Sequence, residues 1–190
     1  MHLTIPTMIT LFRILTIPVM VALFYAPYAW SHYAAAGIFI FGALTDWADG
    51  WIARRYNMSS AFGAFLDPVA DKLAVAVALV IIVQFHADGP GGIWMGLGAA
   101  VIIGREITIS ALREWMAELG ERARVKVAWV GKVKTIAQMV AISCLLFRED
   151  LLGLPVFAIG QWTLAVAAIL TLWSGAAYLH AAWPTLSQKK

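Results

Sequence analysis

Long apolar runs separated by short polar segments fill most of the chain. A bilayer-spanning helix needs about 20 consecutive apolar residues, and six runs of roughly that length can be marked. The predicted spans are 9–26, 33–53, 61–85, 93–112, 125–147 and 156–181. Composition agrees, because the chain is 62% hydrophobic and only 13% charged, unlike a soluble domain. The pattern predicts an all-α integral membrane protein in which 1–190 forms one bundle of six transmembrane helices.

Basic residues are unevenly distributed between the two ends of this predicted bundle. Of the 14 Lys and Arg residues, only Arg148 falls in a loop assigned to the outside. At or beyond the opposite helix ends lie Arg54, Arg55, Arg122, Arg124, Lys126, Lys189 and Lys190. The positive-inside rule therefore predicts cytoplasmic termini. The first span is not expected to be a cleavable signal peptide, because Arg13 interrupts its apolar run.

Four aspartates interrupt the second and third spans. Asp46 and Asp49 are three residues apart and Asp67 and Asp71 four, so each pair shares one helix face. A hairpin turning at the polar segment 54–60 would bring all four to one depth. Carboxylates in lipid need partners or a purpose, and a set of oxygen ligands favours Mg²⁺ or Mn²⁺. A two-metal site is predicted, since an ordinary ion pair explains four matched carboxylates poorly.

Small residues and one cation accompany the aspartates. Gly50 and Ala53 lie on the face of the first pair, and Gly63 precedes the second pair by one helical turn. Such residues let helices or a flat ligand approach closely. Arg54 is about two turns from Asp46 and could reach a phosphate bound at the metals. One carboxylate could instead take a proton from an attacking hydroxyl.

The segment from Asp46 to Asp71 reads D-x-x-D-G-x-x-A-R-x8-G-x3-D-x3-D. At every defined position it resembles the signature of the CDP-alcohol phosphotransferase family. The resemblance implies a six-helix membrane enzyme, usually a homodimer, in which an alcohol displaces CMP from a CDP-linked lipid with the help of divalent metals.

The same resemblance assigns roles within the segment. It implies that Asp46, Asp49 and Asp67 are metal ligands, and that Asp71 is both a ligand and the catalytic base. The expected CDP-lipid pocket contains Thr45, Asp49, Gly50, Ala53, Arg54 and Gly63.

Four further segments, 5–13, 104–106, 110–117 and 131–135, resemble the bacterial phosphatidylglycerophosphate synthases of that family. This implies transfer of a phosphatidyl group from CDP-diacylglycerol to sn-glycerol 3-phosphate, toward phosphatidylglycerol and cardiolipin. It also implies the bacterial inner membrane. Thr4 departs from the pattern, because an Asn is frequent there.

A site for glycerol 3-phosphate should offer cations near the metals. The candidates are Arg105, Arg113, Lys132 and Lys134, since Arg captures phosphate bidentately and Lys supplies a point charge. Glu106 could orient Arg105. Each cation could alternatively snorkel to the membrane surface.

The sequence is also compatible with other functions. The same chemistry could use inositol phosphate, serine or phosphatidylglycerol as the acceptor. An intramembrane prenyltransferase fits a chain of 190 residues poorly. A cation transporter is disfavoured by Arg54 and by the lack of an internal repeat. The net charge of +3 indicates contact with anionic membrane lipids rather than nucleic acid.

Overall fold

The computed structural model describes residues 5–56, 61–89, 91–120 and 129–186. Within these residues the chain is helical and contains no β-strand. The helices are α1 (Ile5–Tyr25), α2 (Ser31–Tyr56), α3 (Ala61–Phe85), α4 (Gly92–Glu118), α5 (Trp129–Phe147) and α6 (Val156–Leu186). The predicted all-α fold with six helices in this order is confirmed.

Helix boundaries agree with the apolar runs at some ends and differ at others. The bounds of α3 are those predicted, whereas α2 continues through Arg54 and Arg55 to Tyr56. These two arginines are therefore helical, and the connection falls in 57–60, which lies outside the described residues. An apolar run marks where a helix leaves lipid, while the backbone can stay helical beyond that point.

Helix α4 also extends beyond its predicted apolar run. The helix continues past 112 and ends at Glu118, and Gly120 two residues later has a φ of 75°, which suits glycine. The N–H of Gly120 donates to the carbonyl oxygen of Ala117 at 3.1 Å and closes the last turn.

Three helices in the described part are long and apolar enough to cross a membrane. They are Thr7–Tyr25 in α1, Gly92–Glu118 in α4 and Val156–Pro184 in α6. Membrane crossing by α2, α3 and α5 stays a prediction.

Helix α1 lies against both α2 and α3, and it runs parallel to α3. At one end Thr10 meets Asp67. At the other end the Tyr25 hydroxyl donates to the Gln84 side-chain oxygen at 2.7 Å. This parallel packing sets the polar residues of α1 opposite those of α3 at matching heights.

All six helices contribute to one buried apolar core. Its largest fully buried side chains include Phe24, Met20, Leu79, Ile82 and Leu145. A smaller buried cluster joins α4 to α6 through Ile109, Met116, Tyr178 and Ala182.

Arg148, the one basic residue in a loop assigned to the outside, is held there by contacts with two helices. Its guanidinium lies 3.9 Å from the ring centre of Phe24 and 3.7 Å from that of Phe85. It also donates to the carbonyl oxygen of Phe24 at 3.0 Å. The nearby His86 has a lowered pKa because burial, and then the Arg148 charge, disfavour its protonated form. Arg148 thus packs against the ends of α1 and α3 and stabilises them.

Candidate active site

Arg13 on α1 joins the aspartates of α2 and α3. Its Nη1 donates to Oδ1 of Asp46 at 2.5 Å and to Oδ1 of Asp71 at 2.6 Å. The Arg13 side chain is 4% exposed, whereas the two carboxylates are 38% and 42% exposed. The hairpin expected from the sequence therefore does bring Asp46 and Asp71 to one point, and a buried cation holds them there.

A second residue of α1, Thr10, holds Asp67 of α3. The hydroxyl of Thr10, which is fully buried, donates to Oδ1 of Asp67 at 2.6 Å. Thr10 and Arg13 are about one turn apart on α1, as Asp67 and Asp71 are on α3. Since the helices are parallel, α1 fixes both α3 carboxylates.

A small residue leaves room for the Arg13 side chain. Gly42 precedes Asp46 by one turn of α2, and a Cβ at Gly42 would lie 3.6 Å from Cγ of Arg13. This is an ordinary van der Waals distance, so the α2 backbone at Gly42 lies directly beside the arginine stem.

A cavity of about 340 Å³ opens from this cluster between α1, α2, α3 and α5. Arg13, Asp46 and Asp71 contribute charged groups to its wall. Most of the remaining lining is apolar and includes Met20, Ile38, Phe39, Val75, Met139 and Val140. The space thus combines charged and apolar surfaces, as a lipid with a charged headgroup requires.

The donor chemistry of the aspartates fits hard divalent cations. Carboxylate oxygens are the ligands that Mg²⁺ and Mn²⁺ prefer, and the contacts of Arg13 show that Asp46 and Asp71 already share a positive charge. In the part of the chain that the structure describes, no three His, Cys, Asp or Glu side chains form a ready metal cluster. The side chain of Asp49 lies outside that part.

Most residues expected to bind the CDP-lipid fall outside the described side chains. These are Asp49, Gly50, Ala53 and Arg54, all within α2, and Thr4 is likewise undescribed. Gly63 is buried in α3.

The described hydroxyl of Thr45 bonds within its own helix. It donates to the carbonyl oxygens of Phe41 and Gly42 at 3.0 and 2.9 Å. Thr45 lines a separate apolar cavity beside Met8 and Phe12. Its role in CDP-lipid binding stays a prediction.

Two of the four expected acceptor-site cations come together. Arg105 on α4 donates through Nη1 to Oε1 of Glu106 at 3.2 Å, and Nζ of Lys134 on α5 bonds the same oxygen. The Arg105 and Lys134 side chains are 12% and 5% exposed. The structure therefore makes a compact group of two cations around one carboxylate.

Arg113 and Lys132 do not join that group. Both side chains are exposed, and neither has a hydrogen-bonding or ion-pairing partner among the described residues. Arg113 lies eight residues after Arg105 on α4. The two arginines nevertheless differ, because Arg105 is largely buried beside Glu106 whereas Arg113 is exposed.

Sequence reasoning assigned no role to Lys72, Thr10 or Arg13. Lys72 directly follows Asp71, and its Nζ bonds the hydroxyl of Ser110, which links α3 to the helix that carries Arg105. Arg13 is detectable as the single charge inside its apolar run, and Lys72 as a cation beside Asp71 within another, a pattern that is usually functional. Thr10 carries no comparable signal of its own.

Comparison with known proteins decides the family. A family model described as CDP-alcohol phosphatidyltransferase matches residues 3–173. The chain belongs to this family. The matched range contains the four aspartates as well as Thr10, Arg13 and the Arg105–Glu106–Lys134 group. The family match confirms the resemblance inferred from the aspartate signature.

Individual relatives match over nearly the whole chain. A protein of Escherichia coli (strain K12) named CDP-diacylglycerol--glycerol-3-phosphate 3-phosphatidyltransferase is 54% identical over 186 residues, and 96% of each chain is covered. A protein of the same name from Shigella flexneri serotype 5b (strain 8401) is 54% identical over 182 residues with the same coverage.

Proposed function

We propose that this chain transfers the phosphatidyl group of CDP-diacylglycerol to sn-glycerol 3-phosphate, giving phosphatidylglycerophosphate and CMP. The observation that carries the proposal is 54% identity over 96% of the chain to relatives whose names state this activity. Membership of the CDP-alcohol phosphatidyltransferase family supports the reaction type independently.

The cavity beside Arg13 supports a lipid donor. Its charged wall at Asp46 and Asp71 suits the headgroup end of CDP-diacylglycerol, and its apolar wall suits the adjoining glycerol backbone and acyl chains. Burying apolar surface contributes about 25 cal/mol per Å² to such binding. The remaining CDP contacts are assigned to Thr45, Asp49, Gly50, Ala53, Arg54 and Gly63.

Asp46, Asp49, Asp67 and Asp71 would hold two Mg²⁺ or Mn²⁺ ions. When bound, such ions neutralise the diphosphate and stabilise the departing phosphate. The protein's own contribution is orientation, because Arg13 holds Asp46 and Asp71 while Thr10 holds Asp67.

Asp71 acts as the base in the transfer. Its carboxylate takes the proton of the acceptor hydroxyl as that oxygen bonds to the phosphatidyl phosphorus. The P–O bond to the CMP phosphate breaks in the same displacement, and CMP leaves with the electron pair. General base catalysis of this kind contributes about 10²–10⁴-fold.

The phosphate of the acceptor is assigned to Arg105, Arg113, Lys132 and Lys134. Arg105 and Lys134 form the centre of this site, since their side chains are only 12% and 5% exposed and both bond Glu106. Glu106 neutralises only one of the two positive charges, so the group keeps a net positive charge that can attract the acceptor's phosphate. Arg113 and Lys132 are exposed, where they could meet the phosphate as it enters.

Topology and assembly complete the proposal. Residues 1–190 form one domain of six transmembrane helices in the bacterial inner membrane, with the termini and the active site facing the cytoplasm. The distribution of Lys and Arg supports this orientation. The homodimer rests on the family resemblance alone.

An acceptor screen tests the function directly. Purified protein is incubated with CDP-diacylglycerol, Mg²⁺ and one of four acceptors: glycerol 3-phosphate, inositol phosphate, serine or phosphatidylglycerol. We expect CMP release and a lipid product with glycerol 3-phosphate at a rate well above the others. Preference for another acceptor would overturn the substrate assignment, and cation flux into liposomes without CMP release would overturn the enzyme assignment.

Exhaustive chelation tests the metal requirement. We expect loss of both CMP release and CDP-lipid binding, with recovery on adding Mg²⁺ or Mn²⁺. Equal CDP-lipid binding before and after chelation would contradict the assignment of the aspartates.

A further inference from the structure

Arg105 is held from α6 as well as from its own helix. Its Nη2 donates to the hydroxyl of Ser174 at 3.0 Å, and Ser174 is only 3% exposed. The guanidinium carbon also lies 5.4 Å from the ring centre of Tyr178, one turn further along α6. A cation at this distance from an aromatic face is attracted by the ring.

Gly175 lies between Ser174 and Tyr178 on α6, and its lack of a side chain leaves room for the Arg105 stem. A Cβ at this residue would lie 3.3 Å from Cγ of Arg105, closer than most real contacts. A larger residue would push the arginine stem away from α6. One turn of α6 thus supplies a hydroxyl, a gap and an aromatic face to a single guanidinium.

The other side of Arg105 is fixed by Glu106. Glu106 receives Nη1 of Arg105 and Nζ of Lys134 on one oxygen, so the two cations are held side by side. The Nε of Arg105 is buried and has no hydrogen-bond partner among the described residues. The guanidinium is therefore restrained in two directions by the protein and retains a donor that the described residues do not use.

The ring of Tyr178 is itself immobilised. It is 7% exposed and packs in the buried cluster with Ile109, Met116 and Ala182. Tyr178 therefore restricts the Arg105 side chain before an anion binds. Because less conformational entropy is then lost on binding, the affinity for the anion improves without a new contact.

We propose that Ser174, Gly175 and Tyr178 are positioning residues that fix Arg105 beside Lys134 to receive the phosphate of the acceptor. The inference rests on the proposed function, which makes this pair the acceptor-phosphate site. The family model ends at residue 173, whereas the 54% identical relatives match over 96% of the chain. These three residues therefore lie beyond the range matched by the family model but within reach of the full-length relatives.

Substrate-specific kinetics distinguish positioning from ordinary packing. The variants are Ser174→Ala and Tyr178→Leu, each with a conservative partner, Ser174→Thr or Tyr178→Phe. Ser143→Ala is the matched control, because the Ser143 hydroxyl bonds only the Met139 carbonyl oxygen of its own helix among the described residues. The measurements are KM for each substrate, kcat and the melting temperature in detergent.

We expect Ser174→Ala and Tyr178→Leu to raise KM for glycerol 3-phosphate about 10-fold, as loss of one charge-assisted contact does. Their KM for CDP-diacylglycerol should stay within about 2-fold of wild type, because the donor does not use Arg105. Ser174→Thr and Tyr178→Phe keep the hydroxyl and the ring face respectively, so both should restore most of the acceptor affinity.

Two results would overturn the positioning role. One is an unchanged KM for glycerol 3-phosphate in both Ser174→Ala and Tyr178→Leu. The other is an equal rise in KM for both substrates with a lower melting temperature, which a purely structural role predicts. If Ser174→Ala does not fold, the Tyr178→Phe and Tyr178→Leu pair decides by the same criteria.

The wild-type assay separates this proposal from the proposed function. If the wild type prefers a different phosphorylated acceptor, the substrate assignment is wrong, and the same KM comparison with that acceptor decides the positioning role. If it prefers an acceptor without a phosphate, both proposals are wrong.

Discussion

Arg13 and Asp71 are 58 positions apart in the chain, and Nη1 of the arginine donates to Oδ1 of the aspartate at 2.6 Å. The same nitrogen reaches Asp46 on α2. A buried cation thus fixes the carboxylate that we propose as the base, and it does so from a helix outside the aspartate signature. The proposed active site is therefore built from α1 as well as from the α2–α3 hairpin.

Replacing Arg13 by Ala should weaken both the fold and the activity. Removing one partner of a buried ion pair costs about 3–5 kcal/mol, but the half-exposed carboxylates reduce this to about 1–3 kcal/mol of unfolding free energy. Thermal unfolding in detergent and kcat measure the two effects. Arg13→Lys should recover part of each, since it keeps the charge but not the planar fork.

The control for this prediction is Arg55→Ala. Arg55 is an exposed cation on α2, and its loss should change stability by no more than about 0.5 kcal/mol. Wild-type stability and turnover in Arg13→Ala would show that the ion pair does not organise the site.

Thr10 should influence metal binding through Asp67. Thr10→Val keeps the volume but removes the hydroxyl that donates to the carboxylate. Loss of a group that orients a ligand typically weakens metal affinity about 10–100-fold. We expect the Mg²⁺ concentration for half-maximal CMP release to rise about 10-fold, and Thr10→Ser to restore it.

Thr108→Val provides the comparison for Thr10. Thr108 is exposed on α4, and its hydroxyl bonds the Gly104 carbonyl oxygen of its own helix. Its Mg²⁺ requirement should match wild type. The same requirement in Thr10→Val as in Thr108→Val would rule out a role of the Thr10 hydroxyl in holding the metal ligand.

His86 makes stability depend on pH. Burial, and then Arg148, lower the pKa of His86 in the folded protein below its usual value of about 6.5. The folded state then binds fewer protons than the unfolded state, so this stabilisation is complete above pH 6.5 and is lost as pH falls. We expect the melting temperature to drop between pH 7.5 and 5.5, with a smaller drop in His86→Gln.

His180→Gln serves as the matched histidine control, because His180 is exposed on α6. It should keep the wild-type dependence on pH. If His86→Gln showed that same dependence, protonation of His86 would not be its source.

The helices themselves could be read from the sequence because lipid imposes a length and an apolar composition. The ends of α3 follow directly from its apolar run. The end of α2 does not, since Arg54 and Arg55 leave the apolar region yet continue the helix. Helix ends depend on local backbone bonding, as at Gly120, which hydropathy does not encode.

The aspartate pairs were predictable for a similar reason. Residues three or four apart on a helix must share a face, so Asp67 and Asp71 are related by local geometry alone. The contacts of Arg13 and Thr10 depend instead on how α1 packs against α3, which no local spacing specifies. Ser174 belongs to no recognised motif, and only the approach of α6 to Arg105 gives it a role.

The central claim is that Asp71 serves as the base of a metal-dependent phosphatidyl transfer, and Asp71→Asn tests it most directly. The asparagine keeps an oxygen that can accept from Arg13, so the fold and CDP-diacylglycerol binding should persist, while CMP release falls at least about 100-fold. Wild-type CMP release by a folded Asp71→Asn protein would contradict the account.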